Sequence, residues 1–406
     1  MPSFETKIAD VVLRRIRSRA PALSSGGSAE SAIVGGGRVL IRQAEFTDFE
    51  AVCALNHRLG QGPDSMENWH RLWRDNPAVA QGAPARIGWV LECAGKVVGF
   101  LGSIPLLSEY DGRLLFTAAT CRFAIEPAHR PSGHLLVTSF LRQKDVDLFL
   151  NTTATVSAGK IMMALKAAPV PQSDYGKVLF WVLKPRAFAD AVLTKMGVRS
   201  SLRPIGGFLA AGALAAETAF RRRTPRENPS RYRVVVSSVD RLGETFDRFC
   251  LEQTRTAKRL IGVRTSDIMH WHFVPPQSRR ATEALSCYSA GALVGYAIMR
   301  HEVETGSTLR RSLIADLLVQ NDDPLAVEQL LVAAYRSAKQ SGSHVLEVIG
   351  FPKQVRRVLL QHKPYSRDYP ASPYFYKARD RQLHDELSNE NAWYACPFDG
   401  DATLWP

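Results

Sequence analysis

Two hexapeptides recur in the same order about two hundred residues apart, and this limits the possible folds more than any other feature. Ser65-Met66-Glu67-Asn68-Trp69-His70 is echoed by Asp267-Ile268-Met269-His270-Trp271-His272, a capping residue and then Trp-His at the same offset. Gly95-Lys96-Val97-Val98-Gly99-Phe100 is echoed by Gly291-Ala292-Leu293-Val294-Gly295-Tyr296, a turn glycine, an apolar pair, then glycine and an aromatic ring. A repeat of that length is a duplicated domain and not a solenoid unit. The chain length of 406 residues fits two domains.

The element strings around the repeats agree. In the first half the patterning predicts a strand over 39–42 and a helix capped by Thr47-Asp48 that runs to about Arg58. Ser65 caps a second helix that carries Trp69, Leu72 and Trp73 and ends at Asn76-Pro77. Strands over 87–93 and 97–104 follow, then a hairpin at Tyr110-Asp111-Gly112-Arg113 and an apolar strand over 114–125. A helix over 135–143, a strand over 146–150, a helix over 157–166 and a strand over 178–183 complete the half. Helices fill 187–220. The second half repeats the scheme with strands at 232–236, 314–319 and 344–349 and a helix at 324–338. The expected fold class is α/β (α+β), with two domains, each a mixed and mostly antiparallel sheet flanked by helices. The expected boundaries are an amphipathic helix and flexible linker over 1–37, a first domain over 38–200, a helical linker over 201–231, a second domain over 232–378 and a tail over 379–406. Cleavage in the polar segment 221–231 is expected to leave two folded pieces.

Chemistry concentrates where the strand over 114–125 ends. Phe123-Ala124-Ile125-Glu126-Pro127 leads through a turn to Arg130-Pro131-Ser132-Gly133-His134-Leu135 and into a helix. Free N–H groups at a helix start, the helix dipole and a nearby arginine together suit a phosphate. A glycine lets the backbone approach the anion closely.

This stretch resembles the Arg/Gln-x-x-Gly-x-Gly/Ala pyrophosphate loop of the GNAT acyltransferase superfamily, and the element order over 38–185 is similar to that of the superfamily. Leu135 departs from the pattern, which has Gly or Ala there. The resemblance implies acetyl-CoA or another acyl-CoA as co-substrate, held by Ala124, Ile125, Arg130, Ser132, Gly133, His134 and Leu135, and an N-acyltransferase that works by direct attack of an amine on the thioester. It also implies a splayed central strand with the thioester contact over 120–125. Neither the carboxylate that several such enzymes carry early in this strand nor the tyrosine of a later helix has a counterpart in 116–120 or 161–165. Glu126, His134 and Tyr175, with Asp174 beside it, are the nearest candidates for proton transfer. In the second half the corresponding segment is Gln320-Asn321-Asp322-Asp323-Pro324, in which two carboxylates oppose a pyrophosphate, so that copy reads as degenerate.

The formal net charge of +13 favours an anionic partner without choosing one. Residues 4–19 form a basic amphipathic pattern that suits an anionic membrane or docking on the chain itself. The Gly/Ser/Ala-rich segment 24–37 reads as a flexible linker. Six scattered cysteines without a Cys-x-x-Cys pair read as reduced packing residues of a cytoplasmic protein. The apolar run 205–220 is too interrupted to span a bilayer. No metal is expected: His270 and His272 lack a third ligand nearby, and Asp399 and Asp401 read as a turn between aromatic anchors. The acceptor is expected to be a small-molecule or peptide amine bound between the domains. A FemAB-like transferase using charged tRNA and a non-catalytic binding protein are the alternatives, and nucleic acid is otherwise not expected as a partner.

Overall fold

The computed structural model describes residues 30–34, 37–62, 64–198, 203–221, 223–225, 231–256, 258–275, 281–303, 308–369 and 374–405. The helical pattern over 4–19 lies outside them. Part of the expected linker is a strand: β1 (Glu30–Val34) pairs antiparallel with β2 (Gly37–Gln43). Ala32, Ile33 and Val34 interrupt the glycines with β-branched and apolar residues, which favour a strand.

Two helices follow, Phe49–Arg58 and Met66–Trp69, the latter continuing as a π-turn over His70–Arg74. Ser65 caps the second as its sequence predicts, its side chain accepting from Asn68 N. The meander β3 (Gly88–Cys93), β4 (Lys96–Tyr110) and β5 (Arg113–Ile125) comes next. Asp111 and Gly112 both take positive φ, 47° and 71°, as a two-residue hairpin turn that matches strand twist requires. The strand expected over 97–104 therefore runs further, to Tyr110. The helix Gly133–Leu141, β6 (Leu148–Asn151), the helix Val156–Ala164, the short β7 (Ala168–Pro169) and β8 (Lys177–Val182) complete the first half.

The second half runs through β9 (Tyr232–Ser237), the short β10 (Ile261–Gly262), the helix Ser266–Phe273, β11 (Ala281–Ser289), β12 (Ala292–Val303), β13 (Arg310–Val319), the helix Pro324–Gln340, β14 (Val345–Val348), β15 (Tyr365–Asp368) and β16 (Phe375–Ala378). The cap of the second Trp-His helix is Thr265, which accepts from Ile268 N, and not Asp267. The helix starts two residues earlier than the hexapeptide alignment implies, because the threonine hydroxyl sits where the third helical N–H reaches it.

The strands fall into two sheets with mixed pairing. One has the order β1-β2-β3-β4-β5-β6-β16-β7, with β10 paired to β4, and the other β15-β8-β14-β13-β12-β11-β9. The halves exchange strands. The strand expected to close the first sheet, β8, pairs with β14 and β15 in the second, and β16 from the end of the second half pairs with β6 in the first. A cut between the halves would remove a strand from each sheet.

The first sheet is covered on both faces. Val52, Leu55, Trp69, Trp73, Phe100 and Ile104 form one layer, and Leu136, Phe140, Phe149 and Met162 the other. The second sheet packs Val327, Leu330 and Leu331 of the long helix against Leu285, Ile298 and Ile314. The tail joins the two: Trp393 is buried with Leu115 and Leu150 of the first half, and the next residue, Tyr394, is buried with the second. All six cysteines are free, four of them buried. Among the described residues no helix is long and apolar enough to cross a membrane.

Candidate functional site

The first sheet opens beside its central strand. β5 and β6 are parallel and pair only at Thr117–Leu148, Ala118–Phe149 and Ala119–Leu150. β5 continues to Ile125 against β4 alone, so its other edge is released from Thr120 onward. Within that stretch Arg122 takes φ 51°, at a β-bulge where the register against β4 shifts between Phe100 and Gly102. A bulge leaves an extra residue out of the ladder and re-aims the backbone. Gly102 permits it, since a Cβ there would lie 2.4 Å from Cys121 Sγ. The Arg122 guanidinium stacks over the Trp405 ring at 4.0 Å, and Gln61 Nε2 donates to Phe123 O at 3.1 Å.

The same opening occurs between β13 and β14, which pair from Arg311–Val345 to Ile314–Val348 while β13 runs on to Val319. There the tail fills it: Tyr394 Oη donates to Leu317 O at 2.6 Å, and Cys396 Sγ lies 3.4 Å from Asp316 Oδ1. In the first half the tail crosses the mouth. Thr152 and Thr153, directly after β6, donate to Asp401 Oδ1 at 3.0 and 2.9 Å, and a Cβ on Gly400 would lie 2.3 Å from Thr152 Oγ1.

Below the opening, Ala124 is buried and Ile125 partly so, and Ser132, Gly133, His134 and Leu135 lie together on one turn. That turn is tighter than the open glycine loop the sequence suggests. Pro127–Ser132 is a 3₁₀ helix that runs straight into Gly133–Leu141, and the Gly133 N–H is taken by Arg130 O. Pro127 and Pro131 fix φ near the helical value, which favours this winding. Gly133 is required by packing, because a Cβ there would lie 2.7 Å from Ile125 Cδ1. Leu135 packs against the core of the first sheet and does not stand in the loop. Arg130 is exposed and pairs with no acid among the described residues, and the Ser132 Oγ is buried without a partner.

The three proton-transfer candidates are dispersed. Glu126 accepts from Arg58 at 2.8 Å and lies 3.2 Å from Lys96. Burial pushes its carboxyl up, but hydrogen bonds from Lys96 and Arg58 outweigh this and hold it below its ordinary pKa. His134 is exposed, with Nδ1 2.8 Å from Pro131 O. Tyr175 is remote in the fold from that turn. Its ring meets Tyr374 edge-on at 5.2 Å between the halves, and burial, then Asp399, raises its pKa well above the ordinary value. Asp174 pairs with Lys177 at the surface.

A small cavity of about 30 Å³, open to solvent at its mouth, lies between the halves. Its apolar walls include Leu106 and Leu107 of β4, Leu150 of β6, and Leu260, Trp271 and Trp393. Ser108, His272 and Asp399 supply polar atoms. His272 Nε2 lies 2.7 Å from Thr403 Oγ1, which itself donates to Pro397 O, so Nε2 is the donor. Burial, followed by Arg71 and Arg264, lowers the His272 pKa well below its ordinary value, so the ring is neutral. Asp399 Oδ2 accepts from Cys396 N at 2.8 Å, while Oδ1 is buried without a partner. Burial pushes the Asp399 carboxyl up to about 7, against the opposing pull of Arg264. Asp401 is also raised by burial, partly offset by its threonine donors.

No family model and no curated protein matches the chain. Solved structures do. A GCN5-related N-acetyltransferase from Anabaena variabilis is similar with a TM-score of 0.53 at 11% identity, over 84% of this chain and 73% of that one. A protein from Enterococcus faecalis, described as a probable N-acyltransferase, is similar with a TM-score of 0.53 at 11% identity, over 84% and 72%. N-myristoyltransferase from Saccharomyces cerevisiae with bound myristoyl-CoA is similar with a TM-score of 0.50 at 11% identity, over 92% of each chain. The chain has the GCN5-related N-acetyltransferase fold.

Read as that fold, the second half has spent its own turn on structure. Asn321 and Asp322 take positive φ, Asp322 pairs with Arg259 at 2.8 and 3.1 Å, and Asp323 caps the long helix while accepting from Tyr232 Oη. In the first half the opening lies on the strand that leads to Arg130, which pairs with no acid among the described residues. Sequence reasoning missed the residues that surround it from afar: Thr152, Thr153, Gly400, Asp401 and Trp405. The signal was the Asp399-Gly400-Asp401 run set among aromatic residues, since carboxylates between buried anchors are themselves held inside. His270 and His272 diverge, the first onto Asp240 at the surface and the second onto Thr403.

Proposed function

We propose that the chain is an acyl-CoA-dependent N-acyltransferase, in which the first half carries the acyl donor and the second half, with the tail, shapes the acceptor site. One observation carries this reading: the edge of β5 released beyond Ala119 lies on the strand that leads into a helix start bearing Arg130, which pairs with no acid among the described residues. The donor fits these residues. Arg130 meets the pyrophosphate with a charge-assisted hydrogen bond, and the dipole of the helix Gly133–Leu141 supports the anion. The backbone over 120–125, with its bulge at Arg122, orients the thioester and offers N–H groups to its oxygen. The amine attacks directly, with no covalent enzyme intermediate. Acetyl-CoA is the first donor to test. A cytoplasmic setting suits the six free thiols, and residues 4–19 remain a candidate contact to anionic membrane.

Titration calorimetry with acetyl-CoA, paired with thiol release in the presence of amines, tests the proposal. Wild-type protein should bind, and Arg130→Ala should bind more weakly. No binding at millimolar acetyl-CoA would sink the acyltransferase reading.

A further inference from the structure

We infer that the outer face of the helix Arg203–Phe220 is a docking surface for an anionic lipid bilayer, with the helix lying along the plane of the membrane; this stands apart from the acyl-transfer reading. The helix returns along the helix Pro185–Lys195, and glycines bring the two close. A Cβ on Gly206 would lie 3.6 Å from Leu193 Cδ1, and one on Gly207 would collide with Asp190 Oδ1. Farther along, Thr218 Oγ1 lies 3.4 Å from Tyr365 Oη, which donates to Glu217 at 3.3 Å. The inner face is thus anchored on the hairpin partner and on β15, the edge strand of the second sheet.

The outer face has no such cover among the described residues. Phe208, Leu209 and Phe220 are 65%, 67% and 90% exposed, and Gly212, Ala213, Ala216 and Ala219 are exposed with them. At 3.6 residues per turn these seven positions share one side of the helix over about three turns, and none carries a charge. A contiguous apolar patch on the surface of a folded chain marks a contact.

Charge selects the occupant. Exposed cations flank the patch: Lys184 and Arg186 at the start of the helix Pro185–Lys195, Lys195 at its end, and Arg221 directly after Phe220. Lys184 Nζ and Arg310 Nη1 both approach Gly342, 3.4 and 3.7 Å from where a Cβ would stand, and neither pairs with an acid among the described residues. Burial, then these two cations, lower the pKa of the adjacent His344. The two acids of the hairpin lie off the apolar face, Asp190 against Gly207 and Glu217 bound by Arg221 and Arg223. A second copy would set the patch and its cations against their own kind. The apolar residues of 4–19 bring Lys7, Arg14, Arg15, Arg17 and Arg19 with them and meet the same repulsion. Glycine and alanine between the phenylalanines form no pockets for the anchors of a protein partner. An anionic bilayer suits both features, hydrocarbon for Phe208, Leu209 and Phe220 and headgroups for the flanking cations. No described helix is long and apolar enough to cross a membrane, so this one lies in the interface.

The full-length protein is sedimented with vesicles of phosphatidylcholine alone and of equal parts phosphatidylcholine and phosphatidylglycerol. Wild type should prefer the anionic vesicles by about tenfold or more, and high salt should shrink the preference. Leu209→Asp/Phe220→Asp should lower partitioning by about a hundredfold, as expected when a leucine and a phenylalanine no longer enter hydrocarbon, with Tm unchanged. Phe208→Asp alone should give part of that loss, and it decides the matter if the double variant fails to fold. Ile8→Asp/Val12→Asp, in the N-terminal segment, should keep the anionic preference. Binding lost in Ile8→Asp/Val12→Asp but intact in Leu209→Asp/Phe220→Asp overturns the inference, as does wild type that stays in the supernatant with anionic vesicles. A lipid-free dimer that Leu209→Asp/Phe220→Asp makes monomeric also overturns it, because a second copy would then cover the face. Protein that sediments with anionic vesicles yet binds no acetyl-CoA keeps this surface and removes the acyl-transfer reading instead.

Discussion

Arg264→Met should be among the most destabilising single changes in the molecule. Arg264 and Asp316 are both fully buried, with Nε and Nη2 on the two carboxylate oxygens at 2.9 Å. Tyr296 Oη adds a 2.6 Å bond to Asp316, and Arg264 Nη1 donates to Gly262 O at 2.6 Å. Removing one member of such a pair strands the other charge in the core, at a cost of about 3–5 kcal/mol. Folded domains hold on the order of 5–15 kcal/mol in all. With an unfolding entropy of roughly 2 cal/mol/K per residue, a chain of this length that unfolds as one unit should lose about 4–6 °C in Tm. Urea titration followed by circular dichroism measures the free energy and scanning calorimetry the shift. The variant Arg264→Met/Asp316→Leu removes both charges and should recover most of the loss, because the pair's desolvation cost goes with it. A loss under about 1 kcal/mol for Arg264→Met, or a double variant no better than the single one, would refute the argument that the pair is held by mutual need.

Asp399→Asn should stabilise the fold increasingly as pH rises from about 4 to 7. The carboxyl sits at about 7 when folded and near 3.8 when unfolded, so the folded state binds more protons and wild-type stability falls as pH rises from about 4 to 7; melting curves at pH 4.5 and 8 should differ between the proteins far more at the higher pH. Arg130→Ala should weaken acetyl-CoA by about ten- to a hundredfold with an unchanged Tm, as its side chain is exposed. Gly133→Ala should lower stability through Ile125 without adding charge, which separates packing from electrostatics at that turn. Asp322→Ala should cost stability through Arg259 and leave acetyl-CoA affinity untouched. Protein nicked by protease within 221–231 should elute as one particle, held by the exchanged strands β8 and β16; separation of two folded fragments without denaturant would contradict the pairing.

Local signals in the sequence were legible because they act over a few residues. The hairpin at Asp111-Gly112, the Ser65 cap and the Asp323-Pro324 helix start are each fixed by backbone preference, and each is found where its residues stand. The expected order of strands in the first half also holds up to β6. The destination of β8 was not legible. Its continuous apolar run fits either sheet, and pairing partners more than 160 residues away leave no local trace. The candidate site divides in the same way. Arg130 and Gly133 are visible as a motif, although the two prolines wind the turn more tightly than the motif suggests. Asp399 acquires its character largely from walls contributed by β4, β6 and β10, none of which is near it in sequence.

The exchange of strands also sets a schedule for synthesis. As the chain leaves the ribosome N-terminus first, β6 at residues 148–151 emerges with one edge lacking its final partner, which is not made until residues 375–378. β8, at 177–182, must likewise wait for β14 at 345–348. At roughly 5–20 residues per second, the nascent chain carries these open edges for on the order of ten seconds or more. Unpaired strand edges recruit other chains, so the interval exposes the protein to mispairing with neighbours on the same message. Slow translation or high expression should therefore reduce the soluble yield of this chain more than that of a protein whose sheets close within each half.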